Sequence, residues 1–205
     1  EDDILLALCA QAKRALLAGD TNIVLRDLDN RQILNTRAPW QTELPRSGDP
    51  PPPRDLVARG DPWVSDLFVG VLAKVPLYSV NLPVGLADGR MLVLNMSAPA
   101  ASLIPLLRQP ELPSLWEAGI SDRSHRVVAR SKDHDRFVGK ALSSETQRQT
   151  TGTEGVWTTT NLAGEHVLRA HATSNISGWT VAAWVPTSIV QAPYRQSLRY
   201  VVLGG

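Results

Sequence analysis

Residues 25–36 read LRDLDNRQILNT, and residues 120–131 read ISDRSHRVVARS. Aligned at a constant offset of 95, Asp27 falls on Asp122, Arg31 on Arg126, Ile33 on Val128 and Thr36 on Ser131. Each stretch is an apolar run, a polar turn and a second β-rich run, which is the pattern of a hairpin. Asn30 and His125 take the turn position where glycine is common. Asn suits a left-handed backbone there, because its side chain can hydrogen-bond locally. A hairpin met twice at this spacing predicts two copies of one module.

The segments downstream of the two hairpins also correspond in kind. After the first come Pro50–Pro53, a short helical segment near Asp55–Arg59, and strands at Val64–Gly70, Leu77–Val84 and Arg90–Ser97. Ala87-Asp88-Gly89 supplies the tight turn between the last two. After the second come a polar stretch, 133–154, and strands at Val156–Thr160, His166–Thr173 and Trp179–Val185. Turn-forming residues at Asn161–Glu165 and Ser174–Gly178 separate them. The connector Ala98–Leu115, with four prolines, is expected to hold one short helix about Ser102–Arg108.

Both ends read as helices. Over residues 4–18, Ile4, Leu8 and Ala12 form one stripe with Leu5, Cys9 and Leu16 beside it. Asp2 and Asp3 suit the positive end of that helix, Lys13 and Arg14 the negative end, and Gly19 stops it. Pro186–Tyr200 reads as a second helix. The chain starts at Glu1 without a Met or a signal peptide, so it is expected to be a piece of a longer protein, set between two membrane spans. The predicted architecture is α+β: a long N-terminal helix carrying two modules, each an antiparallel five-stranded sheet with flanking helices. The boundaries fall at 1–20 (helix), 21–98 (first module), 99–114 (connector), 115–186 (second module) and 187–205 (exit helix). An up-and-down β-sandwich is the alternative, but it leaves the N-terminal helical pattern without a role.

Composition narrows the function. The 205 residues carry 21 Lys+Arg against 20 Asp+Glu, a net charge of +1 with no dense basic block, which argues against a nucleic-acid partner. With 43% hydrophobic and 20% charged residues, the chain has the balance of a globular protein. The one cysteine, Cys9, reads as a small buried hydrophobe and allows neither an internal disulfide nor a cysteine-rich zinc site. No apolar run reaches the ~18 residues of a membrane span. A nucleophile elbow, a P-loop and a dinucleotide fingerprint are all missing, so the fragment is read as non-enzymatic and no cofactor is predicted. His166 and His171 lie five apart on one strand and so on opposite faces, which argues against a shared metal. The pairs Asp27/Asp29 and Asp133/Asp135 fall in turns, where capping is their expected role.

The segment "DRSHRVVARSKDHDRFVGK" (122–140) resembles a Cache-type hairpin, and "VLRDLDNRQILNTR" (24–37), "PWVSDLF" (62–68) and "VNLPV" (80–84) are similar to periplasmic regions of bacterial sensor histidine kinases. In order and duplication the chain looks like a double-Cache, tandem PAS-like extracytoplasmic sensor over residues 4–190. The resemblance makes the two modules PAS-like. It implies a periplasmic or extracellular domain of an inner-membrane protein, a homodimer in the full-length receptor, and a small-molecule ligand in the membrane-distal first module. Helix residues Ile4, Leu5, Leu8 and Leu16 would form the dimer seam. The Tyr…Arg-x-Trp-Tyr…Asp signature of amino-acid-binding members is missing between residues 38 and 98, so amino acids are not favoured.

Strand alternation gives the candidate site. In Leu77–Val84, Tyr78, Val80, Leu82 and Val84 share a face expected to pack on the N-terminal helix, while Ser79 and Asn81 share the other with Leu77 and Pro83. Asn95 shares a mixed face with Met91, Val93 and Ser97, and Arg37 follows Asn35 on its own strand. Ser79, Asn81 and Asn95 are predicted to orient a small ligand, and the Arg37 fork to take a carboxylate. Trp40 and Trp63 bracket a 38–63 lid and are predicted to close over it. The other four tryptophans read as core. Arg169 and His171 read as a solvated face and serve as the control pair. A histidine kinase is the favoured output; a chemoreceptor or diguanylate cyclase would use the same sensor. A secreted binding module and a hydrolase are the competing classes.

Overall fold

In the computed structural model, residues 7, 10–12, 14, 21–39, 42–108 and 113–191 are described. The chain divides into two units, 1–102 and 103–205. Among the described residues of the first twenty, Ala7, Ala10, Gln11, Ala12 and Arg14 are helical, and Ala12 is buried. Ile4, Leu5, Leu8, Cys9 and Leu16, the expected seam and its neighbour, lie outside the described residues, as do residues 192–205. The exit segment is helical over 187–191.

The first unit opens on the hairpin of β1 (Asn22–Asp27) and β2 (Gln32–Asn35). Helix α1 (Arg54–Arg59) follows the proline run, which cannot itself be helical, and ends at Gly60 with φ 74°. Then come β3 (Trp63–Val64), β4 (Phe68–Val69), β5 (Pro76–Gly85) and β6 (Met91–Pro99). The sheet is antiparallel in the order β2-β1-β6-β5-β3, with β4 also paired to β5. It therefore has six strands rather than five. The single strand expected at Val64–Gly70 is broken in two, with Trp63–Val64 pairing Asn81–Val80 and Phe68–Val69 pairing Leu77–Pro76.

The second unit repeats the plan. A 3₁₀ turn (Ala100–Leu103) leads into α2 (Ile104–Leu107), followed by β7 (Glu117–Ser121), β8 (Val127–Arg130), α3 (His134–Phe137), α4 (Ser144–Gln149), β9 (Glu154–Thr160), β10 (His166–Thr173) and β11 (Thr180–Pro186). Its sheet has the order β8-β7-β11-β10-β9, which matches the path β2-β1-β6-β5-β3 of the first sheet, with no counterpart of β4.

The 95-residue offset extends to single hydrogen bonds. Each hairpin has a register shift, between Leu25 and Arg26 in one and between Ile120 and Ser121 in the other. Ile23 N donates to Thr36 Oγ1, and Ala118 N donates to Ser131 Oγ. The isolated bridges Arg31–Arg46 and Arg126–Ala141 also correspond. Asn30 and His125 have φ of 64° and 57°, the left-handed turn expected of them.

Burial reverses one expectation. β5 buries Leu77, Ser79, Asn81 and Pro83, whereas Val80 and Leu82 are 43% and 45% exposed. Met96, beside Val80 on β6, is 50% exposed. The inner face of this sheet is thus the polar one. Alternation separates two faces, but which of them is covered depends on where the long 42–75 connection lies.

Candidate functional site

On the inner face of the first sheet, strand register sets polar side chains side by side. Asn81 pairs with Asn95, Ser79 with Ser97, Asn22 with Ser97 and Val24 with Asn35. Arg26 follows Asn22 and Val24 on the same side of β1, so a full guanidinium is carried inward. It is completely buried.

The counter-charge comes from the loop after β2. Asp49 is buried, and its Oδ2 accepts from Arg26 Nη2 (3.0 Å), from Ser79 Oγ (2.9 Å) and from Asn95 Nδ2. Arg26 Nη2 also donates to Asn81 Oδ1 (3.2 Å), and Asn81 Nδ2 donates to Ser79 Oγ (2.8 Å). The hairpin turn locks the loop in place: Asn30 Oδ1 accepts from Arg26 Nη1, Asn30 Nδ2 donates to the Asp49 carbonyl (2.8 Å), and Ser47 N donates to the Asn30 carbonyl (2.8 Å). Gly48 permits this approach, since a Cβ there would stand 2.5 Å from the Val69 carbonyl oxygen.

Burial pushes the Asp49 carboxyl up; the Arg26 charge and the hydrogen bonds from Ser79 and Asn95 pull against it without cancelling it. Desolvation likewise lowers Arg26, against the pull of Asp49. Asp49 Oδ1, Asn95 Oδ1 and Arg26 Nε are buried without a hydrogen-bond partner. A small cavity lies alongside, lined by Asn22, Gln32, Asn35, Asn95 and Ser97 together with apolar Leu77 and Phe68. Chemically it offers neutral donors and acceptors in a partly apolar wall, beside one ion pair that balances its own charge.

The structure brings Ser79, Asn81 and Asn95 together, as alternation predicts. Arg37 does not join them: it is exposed in the turn after β2, and its backbone N–H donates to Asn35 Oδ1 (2.9 Å). The cation of this face is Arg26, and its alternation with Asn22 and Val24 is the signal that could have found it. Trp63 is buried on β3 against Val57 and Val93, a core position rather than a lid. Trp40 lies outside the described residues. Asp49 is not legible in the sequence, because it sits in an aperiodic stretch before the proline run.

The control pair of the second unit needs a correction as well. Arg169 and His171 are buried, at 6% and 5% exposure, not solvated. The sequence shows that they share a strand face, but on the Arg169 side that face carries a cavity that Leu142, Ser143 and Thr146 also line. Trp179 and Trp184 are buried as core, while Trp116 and Trp157 are half-buried. His166 is exposed and His171 buried, on opposite faces of β10.

No protein-family model and no curated protein matches this sequence. Solved structures do. The extracellular domain of the candidate histidine kinase mmHK1S-Z3 superposes with a TM-score of 0.67 at 11% identity, over 96% of this chain and 83% of that one. The ligand-binding domain of the Pseudomonas aeruginosa amino acid chemoreceptor PctB, in complex with L-Arg, gives 0.64 at 12% identity, over 94% and 81%. The sensor domain of the V. cholerae histidine kinase DctB gives 0.61 at 11% identity, over 90% and 78%. These neighbours are sensor or ligand-binding domains and not catalytic ones. With two sheets of corresponding strand order, the chain shares the fold of these sensor and ligand-binding domains.

Proposed function

We propose that this chain is the extracytoplasmic ligand-sensing domain of a membrane-bound signal-transduction receptor, with a sensor histidine kinase as the favoured output. Its ligand is a small polar molecule held on the inner face of the first module, 21–98, among Asn22, Asn35, Ser79, Asn81 and Asn95. Trp63 packs with Val57 and Val93 in the core and does not line the cavity. The observation that carries this reading is the buried polar inner face beneath the 42–53 loop: buried polar atoms cost stability unless hydrogen-bonded, and its unpartnered Asn95 and Asp49 oxygens can accept from a ligand.

Because Asp49 already occupies the Arg26 guanidinium, a ligand entering the closed form uses neutral hydrogen bonds. An anion has to displace Asp49 first. A homodimer built on the N-terminal helices, and a domain arrangement with boundaries near 99–114 and 187, belong to the same proposal. The test is a thermal-shift screen of the 205-residue chain against sugars, amines, carboxylates and neutral amides, followed by Asn95→Ala and Asn35→Ala. One class should raise Tm, and either substitution should weaken its binding by about five- to tenfold, the loss of one neutral hydrogen bond. A ligand whose affinity both variants retain would move the sensing site elsewhere.

A further inference from the structure

The second module carries a buried cation that its own fold leaves uncompensated. Arg169 on β10 lines a cavity on the inner face of β7–β11, together with Ser121, Thr146, Thr159, Asn161 and Trp184. Its guanidinium donates to Thr150 Oγ1 (3.0 Å) and lies 5.4 Å from the Trp157 ring. Among the described residues no carboxylate reaches it within ion-pair distance. The other two buried arginines among the described residues are paired, Arg26 with Asp49 at 3.0 Å and Arg130 with Glu117 at 2.7 Å. A second unsatisfied group lines the same cavity: Ser121 Oγ is buried without a hydrogen-bond partner. Burial without a counter-charge pulls Arg169 down to about 10, which still leaves it cationic at neutral pH.

We propose that this cavity is a second binding site, and that it takes a short-chain aliphatic monocarboxylate through the Arg169 guanidinium and the Ser121 hydroxyl. A planar carboxylate matches the guanidinium fork and supplies the missing charge, which an enclosed arginine otherwise lacks. The remaining walls are largely apolar, with Ile120, Val127, Val167 and Ala182 among them, and so receive an alkyl end. The space is small, about 50 Å³, which holds only a few water-sized groups and limits the chain to two to four carbons or so. None of the lining residues is acidic, so no counter-charge there offsets an ammonium group beside Arg169, and zwitterionic amino acids are disfavoured. The other cation that lines the cavity, Arg130, is already paired with Glu117, which disfavours dicarboxylates too.

Propionate is the probe. Titrated into the 205-residue chain at constant ionic strength, it should raise Tm and change tryptophan emission, because Trp184 and Trp157 flank Arg169. Propionamide and succinate should do neither. Arg169→Gln should weaken propionate binding by about tenfold or more, and Ser121→Ala by a smaller factor. If Arg169→Gln fails to fold, Ala182→Val serves instead, narrowing the cavity from β11 without touching the guanidinium, and it should also weaken binding. Asn95→Ala in the first module should leave propionate binding intact, which separates this site from that of the first module. Propionate that binds no better than propionamide would overturn the proposal. So would binding that survives both Arg169→Gln and Ala182→Val, or that Asn95→Ala abolishes.

Discussion

At the residue scale, the two hairpin turns are a natural pair of experiments. Asn30 and His125 hold equivalent left-handed positions, with Asn30 N donating to the Asp27 carbonyl and His125 N to the Asp122 carbonyl. Their side chains differ in what they do. The Asn30 amide joins Arg26 to the Asp49 backbone, whereas the His125 ring makes no hydrogen bond among the described residues. Glycine relieves the left-handed strain at either position, roughly 1–2 kcal/mol, but adds unfolded-chain entropy of about 0.5–1 kcal/mol. His125→Gly should therefore stabilise the protein by up to about 1 kcal/mol. Asn30→Gly loses a charge-assisted and a neutral hydrogen bond and should destabilise it by about 1–3 kcal/mol. Urea unfolding of both variants checks the contrast, and equal effects would deny Asn30 its part in seating the loop.

At the element scale, the decisive contact is the docking of the 42–53 loop onto β1, β5 and β6. One buried carboxylate and one buried guanidinium fasten it, with Ser79, Asn81 and Asn95 as neutral partners. Removing one partner strands the other charge in a dry site, so Arg26→Met or Asp49→Asn alone should cost about 3–5 kcal/mol. Replacing both removes two desolvation costs together, and the double variant should be well more stable than the summed single losses imply. A double-mutant cycle by chemical denaturation measures that coupling; additive losses would mean that the pair does not hold the loop. The same cycle bears on ligand class, because freeing Arg26 by Asp49→Asn should raise the affinity of anions for the first module.

At the scale of the whole molecule, the pH dependence of stability combines groups from both units. His134 and His171 are both lowered from 6.5, chiefly by desolvation. Asp135 opposes and Arg108 reinforces the shift at His134; at His171 the Gly155 carbonyl and Glu154 oppose it and Arg169 reinforces it. A histidine lowered on folding binds fewer protons than it does in the unfolded chain. Its contribution is therefore complete above 6.5 and is lost as the pH falls below that value. Asp49 has the opposite sense: with its carboxyl raised, stability is greatest below the unfolded carboxylate range and declines as pH rises through the folded value. From the histidines, Tm should fall between about pH 7 and pH 5, and the fall should shrink in His171→Gln. A profile unchanged by that substitution would show that His171 is not desolvated.

The repeat determined the fold by itself. The 95-residue offset, the two left-handed turns and the strand triplets are local features, set by backbone sterics and by alternation, and they reappear as two sheets of one topology. Alternation on β5 and β6 likewise places Ser79, Asn81 and Asn95 on a common face. What it does not say is which face becomes the interior. That depends on long-range closure by the 42–75 connection in one unit and by the segment bearing Leu142, Ser143 and Thr146 in the other. Alternation with Asn22 and Val24 puts Arg26 in the inward register, but a charged side chain ordinarily belongs in solvent, so that register alone does not make a guanidinium tolerable there. Only the buried Asp49, 23 residues further along the chain, makes an internal guanidinium at Arg26 tolerable. Local propensity specified the strands, and the pairing of charges across distant segments decided which of their side chains make a site.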